Sequence, residues 1–145
     1  MNVKIFFTSG DLKSMIALSG LEEFMDVFKQ HITFEVHFIV EKKTYASKEW
    51  KNDHCYGDGK YCGLVDPGRR NRMDGKDIID EDLRQSAIYE ADKDKWFEYL
   101  KIFADCENNI EKFTETTKCS EEVGLQSLLG YESAEFRPSI DRSSS

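Results

Sequence analysis

Apolar positions along this chain fall into periodic blocks separated by one long unpatterned stretch. Val3 to Thr8 is a short β-rich run closed by Ser9-Gly10, which predicts a buried strand. Asp11 then offers a helix N-cap. Leu12, Met15, Ile16, Leu21, Phe24, Met25 and Phe28 recur at helical spacing and predict one apolar face. Gly20 weakens that helix by about 1 kcal/mol relative to Ala, so a kink or break is expected there. Ile32 to Val40, rich in β-branched and aromatic residues, predicts a second strand. Strand, helix, strand in this order favours a parallel pair with a crossover.

From Glu41 to Arg72 no period holds. Lys, Gly, Asp and two cysteines are mixed with Tyr45, Trp50, Tyr56 and Tyr61, which predicts an ordered loop region long enough to need a covalent or functional reason. Helical patterning then returns. Ile78, Ile79, Leu83, Ala87 and Ile88 mark one helix, and Trp96, Phe97, Tyr99, Leu100 and Phe103 a second. Ile110 and Phe113 suggest a short third piece. Ser120 can cap a last helix carrying Val123, Leu128 and Leu129 that Gly130 would end. Residues 133–145 read as a flexible tail.

The size and composition fit one domain with a substantial core: 145 residues, 39% hydrophobic and 12% aromatic. A formal net charge of −8 repels phosphate backbones, so nucleic acid is not an expected partner. It argues in the same direction against an anionic membrane surface. The charge either keeps the domain soluble or suits a basic partner segment. No run approaches the ~20 apolar residues of a membrane span, so no membrane contact is expected from this chain itself. The first nine residues do not form a secretory signal, so either one was removed ahead of Met1 or the chain is part of a longer protein.

Four cysteines remain to be placed. Cys55 and Cys62 flank six residues, and Cys106 and Cys119 flank twelve. An even count at local spacing suits two disulfides, and of three connectivities the local pairing Cys55–Cys62 with Cys106–Cys119 is expected. A four-Cys zinc site competes, although its ligands are ordinarily paired two to four residues apart. Free buried thiols are the third reading. Oxidised cysteines would place the chain in the lumen of the secretory or endomembrane system or outside the cell.

The segment Cys55-Tyr56-Gly57-Asp58-Gly59-Lys60-Tyr61-Cys62, then Asp66-Pro67, then Asp74-Gly75-Lys76-Asp77-Ile78-Ile79 and Asp82-Leu83-Arg84-Gln85, closely resembles the central lumenal region of plant-type vacuolar sorting receptors. Phe34-Glu35-Val36-His37-Phe38-Ile39 looks like the strand that precedes it in that family. Trp96, Tyr99, Phe103 and Cys106 continue the likeness, and Phe113 and Cys119 extend it. The match runs from about Ile32 to Gly130. It implies an α/β, thioredoxin-like fold with a disulfide-stapled loop and a helical insertion. On that reading residues 1–132 form one thioredoxin-like domain, with the insertion at about 73–130. The closing hairpin of that fold is not evident beyond Arg137-Pro138-Ser139-Ile140, so the sheet is expected to be incomplete, or finished by a partner. The receptors also carry other lumenal domains, a membrane span and a cytosolic tail, so the likeness covers one region of them.

Candidate chemistry is sparse. A redox thioredoxin needs Cys-x-x-Cys at the start of its first helix, where the helix N-terminus lowers a thiol pKa. The matching stretch, Thr8-Ser9-Gly10-Asp11-Leu12, has no cysteine. His37 reads as a core or edge residue, and His54 beside Cys55 would form a nucleophile pair only with a free thiol. Asp74, Asp77, Asp80, Glu81 and Asp82 lack the spacing of a calcium loop and read as helix N-terminal charge. Arg84 and Gln85 are expected on a solvated helix face, or else paired with this acidic run or turned to a ligand. No catalytic residue, metal or cofactor is expected. The leading expectation is a non-catalytic protein-binding module that recognises cargo or another protein or peptide. Tyr56, Lys60, Tyr61 and Arg84 are its candidate contact residues. A structural subunit of a larger lumenal or extracellular assembly is the second reading, and a divergent thiol-disulfide oxidoreductase the third.

Overall fold

The computed structural model describes residues 1–28, 30–65 and 73–108. Strand β1 (Asn2–Phe7) and strand β2 (Thr33–Phe38) pair in parallel, with Val3 opposite Phe34, Ile5 opposite Val36 and Phe7 opposite Phe38. These six side chains share one face, because successive residues of a strand point to opposite sides. Lys4, Phe6, Glu35 and His37 stand on the other.

Helices α1 (Leu12–Ser19) and α2 (Leu21–Phe28) form the crossover. The Asp11 carboxylate caps α1 by accepting from the amides of Lys13 and Ser14 at 3.1 and 3.2 Å. Gly20 separates the two helices, which is the break its position predicts. The stretch read as a loop holds more order than expected. Ser47 caps α3 (Lys48–His54), and β3 (Cys55–Tyr56) and β4 (Tyr61–Cys62) form a small antiparallel hairpin closed by the Cys55–Cys62 disulfide. Helix α3 is short and mostly polar, so it leaves no apolar period in the sequence.

Helix α4 (Gly75–Ala91) opens with a reciprocal capping box between Asp74 and Asp77. Asp92 ends α4 and starts α5 (Lys93–Asn108), its side chain accepting from the amides of Asp94 and Lys95 at 3.0 and 3.3 Å. The core gathers Phe7, Met15, Leu18, Ile88, Trp96, Tyr99, Leu100 and Phe103, so α5 is the central strut between α1 and α4. The Trp96, Tyr99 and Phe103 stripe is therefore core. The expected pieces around Ile110 and Phe113, the helix after Ser120, Cys119 and the tail at 133–145 lie outside the described residues, as does Asp66-Pro67.

Close backbone packing locks the hairpin to α4. A Cβ at Gly63 would stand 2.2 Å from the Gly75 carbonyl oxygen, and one at Gly75 would stand 2.5 Å from that of His54. His54 bridges the two, with its Nδ1 accepting from the Gly75 amide at 2.9 Å and its carbonyl from the Gly63 amide at 3.0 Å. The position of His54 beside Cys55 thus serves a helix start, and Cys55 is oxidised.

Candidate functional site

In open α/β sheets, ligands and reacting groups gather beyond the carboxyl ends of the parallel strands. Here that place is the turn Thr8-Ser9-Gly10-Asp11 between β1 and α1. Thr8 and Ser9 are buried. The Ser9 amide donates to Asp82 Oδ1 at 2.7 Å, and Thr8 Oγ1 donates to Asp82 Oδ2 at 3.3 Å. Ser9 Oγ donates to the Ile78 carbonyl at 3.2 Å. Helix α4 therefore lies across the turn and occupies its polar groups. From the other side the Leu64 carbonyl approaches so closely that a Cβ at Gly10 would be 2.4 Å from it.

Burial pushes the Asp82 carboxyl up to about 7, against the pull of the Ser9 and Thr8 hydrogen bonds. The neighbouring Glu81 charge adds to the rise. A carboxyl titrating near neutrality is suited to proton transfer. The Ser9 hydroxyl donates to the Ile78 carbonyl and also lies within hydrogen-bonding reach of this carboxyl, and the turn carries no cysteine.

The rest of the acidic run turns inward, beyond the expected role of helix N-terminal charge. Only Asp74 and Asp77 serve the helix start. Tyr56 OH donates to Asp80 Oδ1 at 2.7 Å. Glu81 accepts from Tyr99 OH at 2.7 Å and Gln85 Nε2 at 3.1 Å on Oε1, and from Arg84 Nη1 at 2.6 Å on Oε2. Trp96 Nε1 donates to Gln85 Oε1 at 3.2 Å, which completes a buried bridge between α4 and α5. Arg84 and Gln85 are thus buried, not solvated, because two aromatic side chains of α5 supply donors that a carboxylate and an amide must meet. The sequence did carry a signal for this. Ile78, Glu81, Asp82, Gln85 and Ile88 recur at the spacing of a core-facing helical stripe, with polar residues at its centre.

The four candidate contact residues separate accordingly. Lys60 and Tyr61 are exposed on the hairpin, Tyr61 at 52%. Tyr56 is buried beneath them, with Lys76 Nζ 5.2 Å above its ring. Arg84 is turned into the helix pair. Cys55–Cys62 is a disulfide, and Cys106 is disulfide-bonded as well, so the zinc and free-thiol readings fail for these three residues.

A groove of about 600 Å³ opens beside the hairpin. Val36, Phe38 and Val40 line one wall, Tyr56 and Tyr61 one end, and Ile79, Asp82 and Leu83 of α4 the floor. On the outer face of the sheet, Phe6 is 67% exposed and stacks on His37 at 5.2 Å.

The sequence model of the vacuolar sorting receptor thioredoxin-like domain matches residues 20–144. The chain belongs to that family. Vacuolar-sorting receptor 6 of Arabidopsis thaliana is 30% identical over 100 residues, covering 62% of this chain and 15% of the receptor. The chain therefore spans a small part of the length of that relative. In this vacuolar sorting receptor thioredoxin-like domain the strand–helix–strand unit and the disulfide hairpin are present as the resemblance implies, and the described sheet is short. The turn that would carry a redox motif is a cysteine-free junction held by Asp82. Among the described residues, no helix is long and apolar enough to cross a membrane.

Proposed function

We propose that this domain is a non-catalytic protein-recognition module. It acts in the lumen of the endomembrane system or outside the cell, holding a cargo or partner protein through the hairpin and the groove beside it. One observation carries the reading most directly. At the end of the parallel strands, Thr8 and Ser9 are tied to Asp82 and Ile78 without a thiol, while a few residues away Tyr61 and the groove remain open to solvent. The disulfides support an oxidising compartment, and the relative's name is that of a receptor.

The test is proximity capture with the full chain routed through the secretory lumen, comparing wild type with a Lys60→Ala, Tyr61→Ala double variant. A defined set of captured proteins that is depleted in the double variant is the expected result. A set that the two substitutions leave unchanged would overturn the reading, as would insulin reduction above the background of the reductant alone.

A second reading, a structural subunit of a larger assembly, draws on the outer sheet face. Parallel sheets are ordinarily covered on both sides, and among the described residues nothing covers Phe6. Sedimentation of the isolated chain as a stable monomer would count against it.

A further inference from the structure

We infer that the free edge of β2 and the groove beside it take a basic, extended segment of a partner protein as an added strand. The inference deepens the recognition reading above and rests on it.

Hydrogen-bond parity sets the direction of the backbone groups. The Thr33 amide donates to the Met1 carbonyl at 2.9 Å, and the Ile39 amide to that of Phe7 at 2.8 Å. In a parallel ladder the odd-numbered residues of β2 therefore face β1, and Phe34, Val36, Phe38 and Val40 turn their N–H and C=O groups away. Tyr89 OH takes the Phe34 carbonyl at 2.6 Å. Val36, Phe38 and Val40 are left, and all three line the groove. Among the described residues β2 has no second strand neighbour. Their outward groups recur every two residues, roughly 6.6 Å, which is the repeat of an extended peptide.

This edge also lacks the usual guards against strand addition. Val36-His37-Phe38-Ile39-Val40 contains no Lys and no Pro. Beneath it, Ile79 and Leu83 offer an apolar floor for alternate side chains of an incoming strand. Charge selects the occupant. Among the described residues no Lys or Arg lines the groove, and the chain carries −8 overall. An acidic segment would be repelled, and a lysine- or arginine-bearing one favoured.

The probe is a blocked hexapeptide alternating valine and lysine, titrated onto the full chain at physiological salt. Two relatives accompany it, one with glutamate for lysine and one N-methylated at alternate amides. Binding of the valine–lysine peptide is expected to be at least tenfold tighter than that of either relative. It is also expected to slow amide exchange at Val36, Phe38 and Val40. Leu83→Lys, checked for folding by circular dichroism, should weaken binding at least tenfold. Equal binding of the N-methylated peptide would overturn strand addition. Protection at Lys4 and Phe6 instead would move the site to the β1 edge and overturn this assignment. No peptide binding, with the Lys60/Tyr61-dependent capture intact, would sink the groove and leave the recognition reading standing.

Discussion

The Ser9 amide and the Asp82 carboxylate meet at 2.7 Å across 73 positions of chain. That bond fastens the first strand-to-helix turn to α4 and joins the strand–helix–strand unit to the helical half. Asp82 is held there at a cost, since burial favours its neutral form.

Stability should therefore depend on pH through Asp82 in a definite direction. Its carboxyl titrates near 3.8 when unfolded and at about 7 in the fold. Between those values the native state holds a proton that the unfolded state has lost. The contribution of Asp82 is full below about pH 4 and is lost as pH rises to about 7, at up to about 1.4 kcal/mol per pH unit. Asp82→Asn should flatten this part of the profile. Urea denaturation of both proteins from pH 4.5 to 7.5 measures it, and parallel profiles would refute the assignment.

Truncating Glu81 should be severe. Glu81→Ala leaves Arg84, Tyr99 and Gln85 without their shared acceptor in a buried setting. A loss of about 3–5 kcal/mol is expected. Glu98→Ala, which breaks an exposed pair with Lys95, should cost about 0.2–1 kcal/mol. Chemical denaturation of the two variants side by side separates these outcomes, and similar small losses would contradict the buried bridge.

Replacing Cys55 and Cys62 together with alanine should cost about 2–3 kcal/mol, the loop-closure contribution expected for so short a link. Thermal melts under non-reducing conditions test this. Alkylation and mass spectrometry on the wild type should find both sulfurs unmodified until reductant is added.

Two glycines should answer oppositely to alanine. At Gly63 a Cβ would collide with the Gly75 backbone, so Gly63→Ala should destabilise by roughly 1–3 kcal/mol or more. At Gly20 the backbone is already right-handed helical, and the nearest atom to a Cβ is 3.4 Å away. Gly20→Ala should be stabilising by about 0.4–1 kcal/mol. Equilibrium unfolding of the pair decides, and a stabilised Gly63→Ala would mean the hairpin does not lie against α4.

Much of the fold can be read from one dimension. The β-rich runs of β1 and β2, the Asp11 cap, the break at Gly20 and the aromatic stripe of α5 are local signals, and each corresponds to an element or boundary in the structure, although β1 alternates between exposed and inward positions where the sequence predicts a buried strand. The candidate site was less legible. Tyr56 and Arg84 have the chemistry of contact residues, but Asp80, 24 positions away on α4, draws the first into the interior, and Glu81, itself held by Tyr99 of α5, fixes the second there.

Sequence alone determined the missing thiol at the first turn and favoured the strand–helix–strand order and the local pairing of Cys55 with Cys62, because each depends on residue identity and short spacing. Tertiary structure decided which charges are buried and which edge of β2 has no strand neighbour among the described residues. A carboxylate at a helical position reads the same whether it meets water or the Ser9 amide, and only packing brings that donor to it.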